Sequence, residues 1–284
     1  MQFSVATIAL PTLTPDECVL EAVGLGLGGI EWRVEPRVGS IPDRVPAHPY
    51  LRNNLATIPL DTAAAAAIGD LTRAAGLEIP GLGAYVELGD LETLRLVAEM
   101  TRAAGAAQFR LQAPRSTRTG LPYRELFTRF HSFFEDIAEV AAEFGVRASL
   151  EIHHNTICCS AALAFRVLEG FDPAHVGAIY DTGNLVFEGF QNHEDALDLL
   201  GPYLAHVHIK NAAHLRSLTG VWKPEWTPLD DGEIDIDAFL TLLSERNYAG
   251  WVSLEDLSLT RSPVETLRYD TALLRAWGHH SRVR

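Results

Sequence analysis

Short apolar runs and helical patterns alternate eight times along this chain. The β-rich stretches lie at residues 3–10, 29–34, 77–86, 107–113, 146–152, 176–181, 204–210 and 250–257, and a segment with helical signals follows each. Such alternation builds parallel βαβ units, because two parallel strands need a long crossover between them. A count of eight favours a closed barrel over an open doubly wound sheet. The 284 residues suit one barrel, which typically takes ~250. The expectation is α/β: a single (β/α)8 TIM barrel, with residues 1–284 as one domain.

The helix boundaries carry their own chemistry. Thr14-Pro15-Asp16-Glu17 reads as a capping box with Pro at the first helical position. Asp61 opens an Ala-rich helix ending at Gly76, Asp90 caps a helix ending at Gly105, and a long helix over about 122–144 ends at Gly145. Further helices are expected over 160–169, 195–200, 237–246 and 263–277. Irregular loops are expected from about 35 to 59 and, rich in Trp and Pro, from 211 to 234.

Composition narrows the partners. A formal charge of −14 repels phosphate backbones, so nucleic acid is not an expected partner. No apolar run approaches the ~18 residues that span a bilayer, so no membrane partner is expected either. The odd set Cys18, Cys158 and Cys159 is not a disulfide framework and points to a reducing, cytoplasmic setting. Cys158 and Cys159 read as small buried apolar residues. The N-terminus has no basic region followed by a long apolar run, so no signal peptide is expected.

Strand alternation singles out a polar face. His206, His208 and Lys210 share one face of their strand against Val207 and Ile209. Ser149, Glu151 and His153 oppose Leu150 and Ile152, Trp251, Ser253 and Glu255 oppose Val252 and Leu254, and Gln108, Arg110 and Gln112 oppose Phe109 and Leu111. The apolar faces must meet the helices, so the polar faces point into the lumen. Glu151, Asp181, His208 and Glu255 sit near the C-terminal ends of four successive strands, which converge on one mouth in a barrel. Two Glu, one Asp and one His suit one divalent ion: Mn²⁺, Mg²⁺, Co²⁺ or Zn²⁺. The alternative is a lumen ion-pair network, with Glu151 and Glu255 set against Lys210 and Arg110.

The runs E-x-H from Glu151, Y-D-T-G-N from Tyr180, H-V-H-I-K-N from His206 and S-L-E-D from Ser253 resemble the xylose-isomerase-like TIM-barrel superfamily. The stretch 199–212 is especially typical. The resemblance implies that Glu151, Asp181, His208 and Glu255 bind one divalent ion, and that Glu151 and Glu255 also act as acid and base. It implies a small carbohydrate substrate and leaves a homo-oligomer open, since members often form dimers or tetramers. Asn184 stands where epimerases usually have a substrate-binding His. Tyr85, Glu87 and Gln112 stand where the nuclease branch has extra metal ligands, which argues against nuclease activity.

The expected function is a metal-dependent isomerase or epimerase of a sugar or related hydroxy-carbonyl compound, working through an enediolate. A lyase on the same scaffold, either an inosose-type dehydratase or an enzyme eliminating from an oxidised sugar or C-glycoside, is the first alternative. A non-catalytic sugar-binding barrel is the second. His153 reads either as a general base or as a group hydrogen-bonded behind the ligands. Asn184, Lys210, His206, Trp32 and Gln112 are the substrate-binding candidates. Each has a bland counterpart: a strand-to-helix turn for Asn184, a lumen salt bridge for Lys210, a lumen hydrogen bond for His206 and core filling for Trp32. Trp222, Lys223 and Trp226 read as a lid or as subunit packing. Arg115 and Arg118 read as an anion site or as solvated loop charges.

Overall fold

The computed structural model describes residues 1–35, 49–51 and 53–281. Its strands and helices are β1 (Gln2–Ala6), α1 (Pro15–Gly24), β2 (Gly29–Glu35), β3 (Ile58–Pro59), α2 (Thr62–Ala74), β4 (Leu82–Gly83), α3 (Leu91–Ala104), β5 (Gln108–Gln112), α4 (Ser116–Thr119), α5 (Tyr123–Phe144), β6 (Arg147–Glu151), α6 (Ala161–Leu168), β7 (Val176–Asp181), α7 (Thr182–Phe187), α8 (His193–Leu200), β8 (Leu204–Ile209), β9 (Asn211–Arg216), β10 (Trp222–Thr227), α9 (Ile236–Glu245), β11 (Trp251–Leu254) and α10 (Pro263–Ser281). Strands β1, β2, β4, β5, β6, β7, β8 and β11 pair in parallel in that order. β1 also pairs with β11, so the sheet closes into the expected barrel with helices around it.

Side chains mark where the helices start and stop. Thr14 accepts from the N–H of Glu17, while Glu17 accepts from the N–H of Thr14 at 2.8 Å, with Pro15 in the first turn. Asp61, Asp90, Ser160 and Asp235 each accept the N–H three residues on. Gly105 and Gly145 end α3 and α5 at φ 74° and 64°, which costs glycine nothing.

Four expectations change. The strand expected over 77–86 shrinks to Leu82–Gly83 plus one bridge from Gly29 to Glu78, because Pro80 has no N–H to give the ladder and glycines flank it. The run 3–10 ends as a strand at Ala6, and the Thr7 hydroxyl instead accepts the N–H of Arg33 at 2.9 Å. The loop 211–234 contains an antiparallel ribbon of β9 and β10, pairing Asn211 with Thr227 and Arg216 with Trp222. Pro224 hid it, yet each strand of a two-stranded ribbon is an edge and tolerates Pro. Finally, α7 follows Asp181 directly, with Asp181 Oδ1 accepting the N–H of Asn184 at 2.9 Å. Of the irregular loop expected over 35–59, residues 36–48 and 52 lie outside the described residues.

The apolar strand faces meet the helix ring. Phe109 and Tyr180 from strands and Phe134 and Phe239 from helices are fully buried there, and Tyr180 stacks on Phe239 with centroids 5.6 Å apart. The lumen is polar: Ser4 bonds Ser253 at 2.6 Å, and Ser149 donates to Gln108 at 2.6 Å. Cys158 is buried and Cys159 partly so, both as free thiols. Among the described residues no helix is long and apolar enough to cross a membrane.

Asp270 of α10 and Asp256 beyond β11 are also buried, at 1% and 4% exposure. Burial, then the charges of Asp256 and Asp230, push the Asp270 carboxyl up to about 8 against the pull of Arg261. An unfolded Asp titrates near 3.9. The folded state therefore holds this proton more tightly, and its stabilisation is full below about pH 4 and lost as pH rises to about 8. Asp270→Asn should leave the thermal midpoint nearly unchanged at low pH and raise it at high pH, by on the order of 5 °C. Calorimetric scans on either side of that window check this.

Candidate metal centre

Strands β6, β7, β8 and β11 are consecutive neighbours in the barrel. Glu151 and Asp181 end their strands, Glu255 follows β11, and His208 is one residue from the end of β8. Register sets Asp181 and Ser253 beside His208 on its two sides, and Gln112 beside Glu151. One ligand atom each from Glu151, Asp181, His208 and Glu255 lies within 4.8 Å of the others, and all four residues are buried.

His208 is the hub. Its Nε2–H donates to Glu31 Oε2 at 2.9 Å, which turns Nδ1 into the cluster. Nδ1 has no hydrogen-bond partner. It faces Glu151 Oε1 at 3.5 Å, Glu255 Oε2 at 3.6 Å and Asp181 Oδ2 at 3.7 Å. Three carboxylates around Nδ1 call for positive charge among them, which a proton on His208 or a metal ion in its place would supply. Four donors 2.0–2.2 Å from a tetrahedral ion stand roughly 3.3–3.6 Å apart, close to the observed spacing. Glu31, Glu151, Asp181 and Glu255 outnumber Arg110 and Lys210, so the cluster favours a further positive charge, either the proton on His208 or a bound cation. The residues therefore fit a hard divalent cation.

The ion-pair network is present beside that set. Arg110 Nη1 donates to Glu151 Oε2 at 2.8 Å, and Lys210 Nζ bridges Asp181 at 2.7 Å and Glu255. The balance between burial and these partners shifts the two outer carboxylates in opposite directions. Burial raises Glu151, but the Arg110 guanidinium leads the charges that outweigh it and hold the carboxyl well below its usual range. Burial dominates at Glu255 and pushes it up despite Lys210 and His208. Burial lowers His208, yet Glu31 and Glu255 outweigh it and raise the imidazole well above its ordinary value.

The other candidates divide. Lys210 reaches the cluster and lies 5.1 Å from the Trp226 ring centroid. Gly183 makes room for both, since a Cβ there would stand 2.6 Å from Lys210 and 2.9 Å from Trp226. Asn184 is buried, with Oδ1 bonded to His154 and Nδ2 unpartnered. His153 stacks on His154 at 4.4 Å, and burial brings its pKa down to about 3. His206 lies deeper, bonded to Glu31 and Ser253 at 3.0 Å each. Trp32 is a correction: it is fully buried and donates its indole N–H to Thr72 of α2 at 3.0 Å. Alternation turns it to the helix ring while Glu31 and Arg33 take the lumen, so it offers no wall to a substrate. Trp226 packs on Phe187 at 4.3 Å, whereas Trp222 is 63% exposed.

Sequence reasoning missed Glu31. The same alternation, applied to GIEWRV, would have exposed it as a lumen carboxylate. Beside the cluster, a narrow cleft is lined by Glu31, Arg33, Tyr85, Arg110, His208 and Glu255 among others.

A barrel whose chemistry gathers at four consecutive strand ends defines a broad class, and the family follows. The model of the xylose isomerase-like TIM barrel family matches residues 21–277, so the chain belongs to that family. An inosose dehydratase of Lacticaseibacillus casei is 29% identical over 140 residues, which are 45% of this chain and 46% of that protein. The chain thus spans under half the length of the curated relatives it matches. The 3-keto-D-glucoside 4-epimerase YcjR of E. coli superposes with a TM-score of 0.70 at 17% identity, over 97% of this chain and 99% of that one. The IOLI protein, solved with a binding zinc atom, gives 0.71 at 15% identity, over 96% and 97%. These likenesses show the shared fold.

Glu31→Gln should weaken divalent-ion affinity about 10- to 100-fold, read by titration calorimetry with Mn²⁺. Saturating ion at 100 times its dissociation constant should stabilise the wild type by about 2.7 kcal/mol, seen as a rise in thermal midpoint that chelator reverses.

Proposed function

We propose that this chain is a divalent-metal-dependent enzyme that moves a proton beside a carbonyl, an isomerase or epimerase of a sugar or related hydroxy-carbonyl compound. One observation carries the reading. Glu151 and Glu255 are the outermost of four buried ligands on consecutive strands, so a substrate held at the cluster has a carboxyl group on either side. Two-base chemistry needs one carboxylate ready to take a proton and one carboxyl ready to give it.

When bound, the divalent ion supplies Lewis acidity against negative charge developing on the carbonyl oxygen. Glu151, kept ionised by Arg110, takes the carbon-bound proton. Glu255 returns one from the other side, and the roles exchange in reverse. Delivery to the same carbon gives an epimer, and delivery to its neighbour gives an isomer. Lys210 holds a substrate hydroxyl or the developing enediolate through its ammonium. Asn184 Nδ2 is free to donate to substrate. His153, neutral and weakly basic, positions the ring of His154 instead of carrying the proton.

Elimination of a β-hydroxyl is the second reading, and the inosose dehydratase relatives favour it. The same proton abstraction starts both reactions. Candidate ketoses in D₂O separate them: an isomerase or epimerase exchanges deuterium into carbon, while a dehydratase accumulates an unsaturated or deoxy product. In the Mn²⁺-loaded protein, Glu151→Gln and Glu255→Gln should each slow exchange by about 10²- to 10⁴-fold, followed by NMR. Exchange surviving either change refutes the two-carboxylate scheme.

A further inference from the structure

Arg115 stands where β5 gives way to the short helix α4, at the barrel mouth. It is half buried, and its Nε is buried without a hydrogen-bond partner. Among the described residues no carboxylate pairs with it. That is unusual in a chain with a formal charge of −14, because a buried or half-buried guanidinium normally finds an anion. The ionised side chains near enough to act on it are Arg118, Glu151 and Arg110, and it is in turn felt by His154. Two of those neighbours are cations. Glu151, the one carboxylate, has Oε2 bonded to Arg110 and Oε1 facing His208. Burial and the nearby Arg118 both disfavour the charge on Arg115. A cation kept at the mouth under these conditions is poised for a negative partner from outside the chain.

We infer that Arg115, with Arg118 beside it, is a specificity-determining residue that receives an oxyanionic group, carboxylate or phosphate, carried by the substrate. This rests on the proposed reaction only in placing the hydroxy-carbonyl end of the same molecule at the metal cluster. A guanidinium offers a planar fork that bonds two oxygens of such a group at once. The substrate would then be a sugar acid or a sugar phosphate, and a neutral sugar would leave the arginine unanswered.

The test is binding to the Mn²⁺-loaded full chain by titration calorimetry, with D-fructose as the neutral probe, 5-keto-D-gluconate as the carboxylate and D-fructose 6-phosphate as the phosphate. The wild type should bind at least one anionic probe about 10- to 100-fold tighter than fructose, and added salt should narrow the gap. Arg115→Gln should erase that preference while leaving fructose affinity and the thermal midpoint unchanged, and Arg115→Lys should restore part of it. Whichever anion shows the larger Arg115-dependent gain names the source. Equal binding of all three probes, equal weakening of all three by Arg115→Gln, or no measurable binding of either anion overturns the inference. Deuterium exchange is read separately. Exchange into fructose without any Arg115-dependent preference for an anionic probe leaves the proposed reaction standing and removes the anion site. An Arg115-dependent anion preference without exchange does the reverse.

Discussion

Carboxylates cannot be stacked inside a barrel lumen without positive charge to face them. Here four of them surround one imidazole: Glu31 behind it, and Glu151, Asp181 and Glu255 before its Nδ1. Arg110 and Lys210 answer part of that charge, and a cation bound at the cluster would answer the remainder. Glu31 fixes which nitrogen of His208 looks inward, and His206, itself bonded to Ser253, holds Glu31 in turn. The cluster is thus the outer end of a hydrogen-bonded column running down the lumen.

The scaffold makes that column rigid. Four of its side chains rise from neighbouring strands whose ladder registers are fixed by parallel pairing. A one-residue slip would turn each of them into the helix ring. The walls around the cluster come from less regular pieces. Helix α7 starts on the last strand residue, Gly183 lets Lys210 and Trp226 approach it, and the β9–β10 ribbon brings Trp226 over the mouth. Chemistry held by strands and selectivity held by loops is the division such barrels use.

Alternation with period two is a local property, and so the polar faces of the fourth, fifth, seventh and eighth expected strands could be read from residues alone. Glu151, Asp181, His208 and Glu255 were legible because each breaks an apolar run at its end. The cap residues Thr14, Asp61 and Asp90 were legible for a similar reason, since a cap acts within three residues. Trp32 was not placed correctly because an aromatic near a strand end looks the same whether it faces sugar or helix. Its partner, Thr72, lies 40 positions away.

The chain's own order of residues therefore determined the eight-fold alternation, the barrel it implies and the four groups that gather at its mouth. Only the tertiary structure decided which strands stand side by side, that Glu31 backs His208, that Lys210 bridges Asp181 and Glu255, and that Arg115 is left without a partner. The physical reason is range. Side-chain direction along a strand is set by its neighbours in sequence, whereas a charge meets its partner across space, after the sheet has closed.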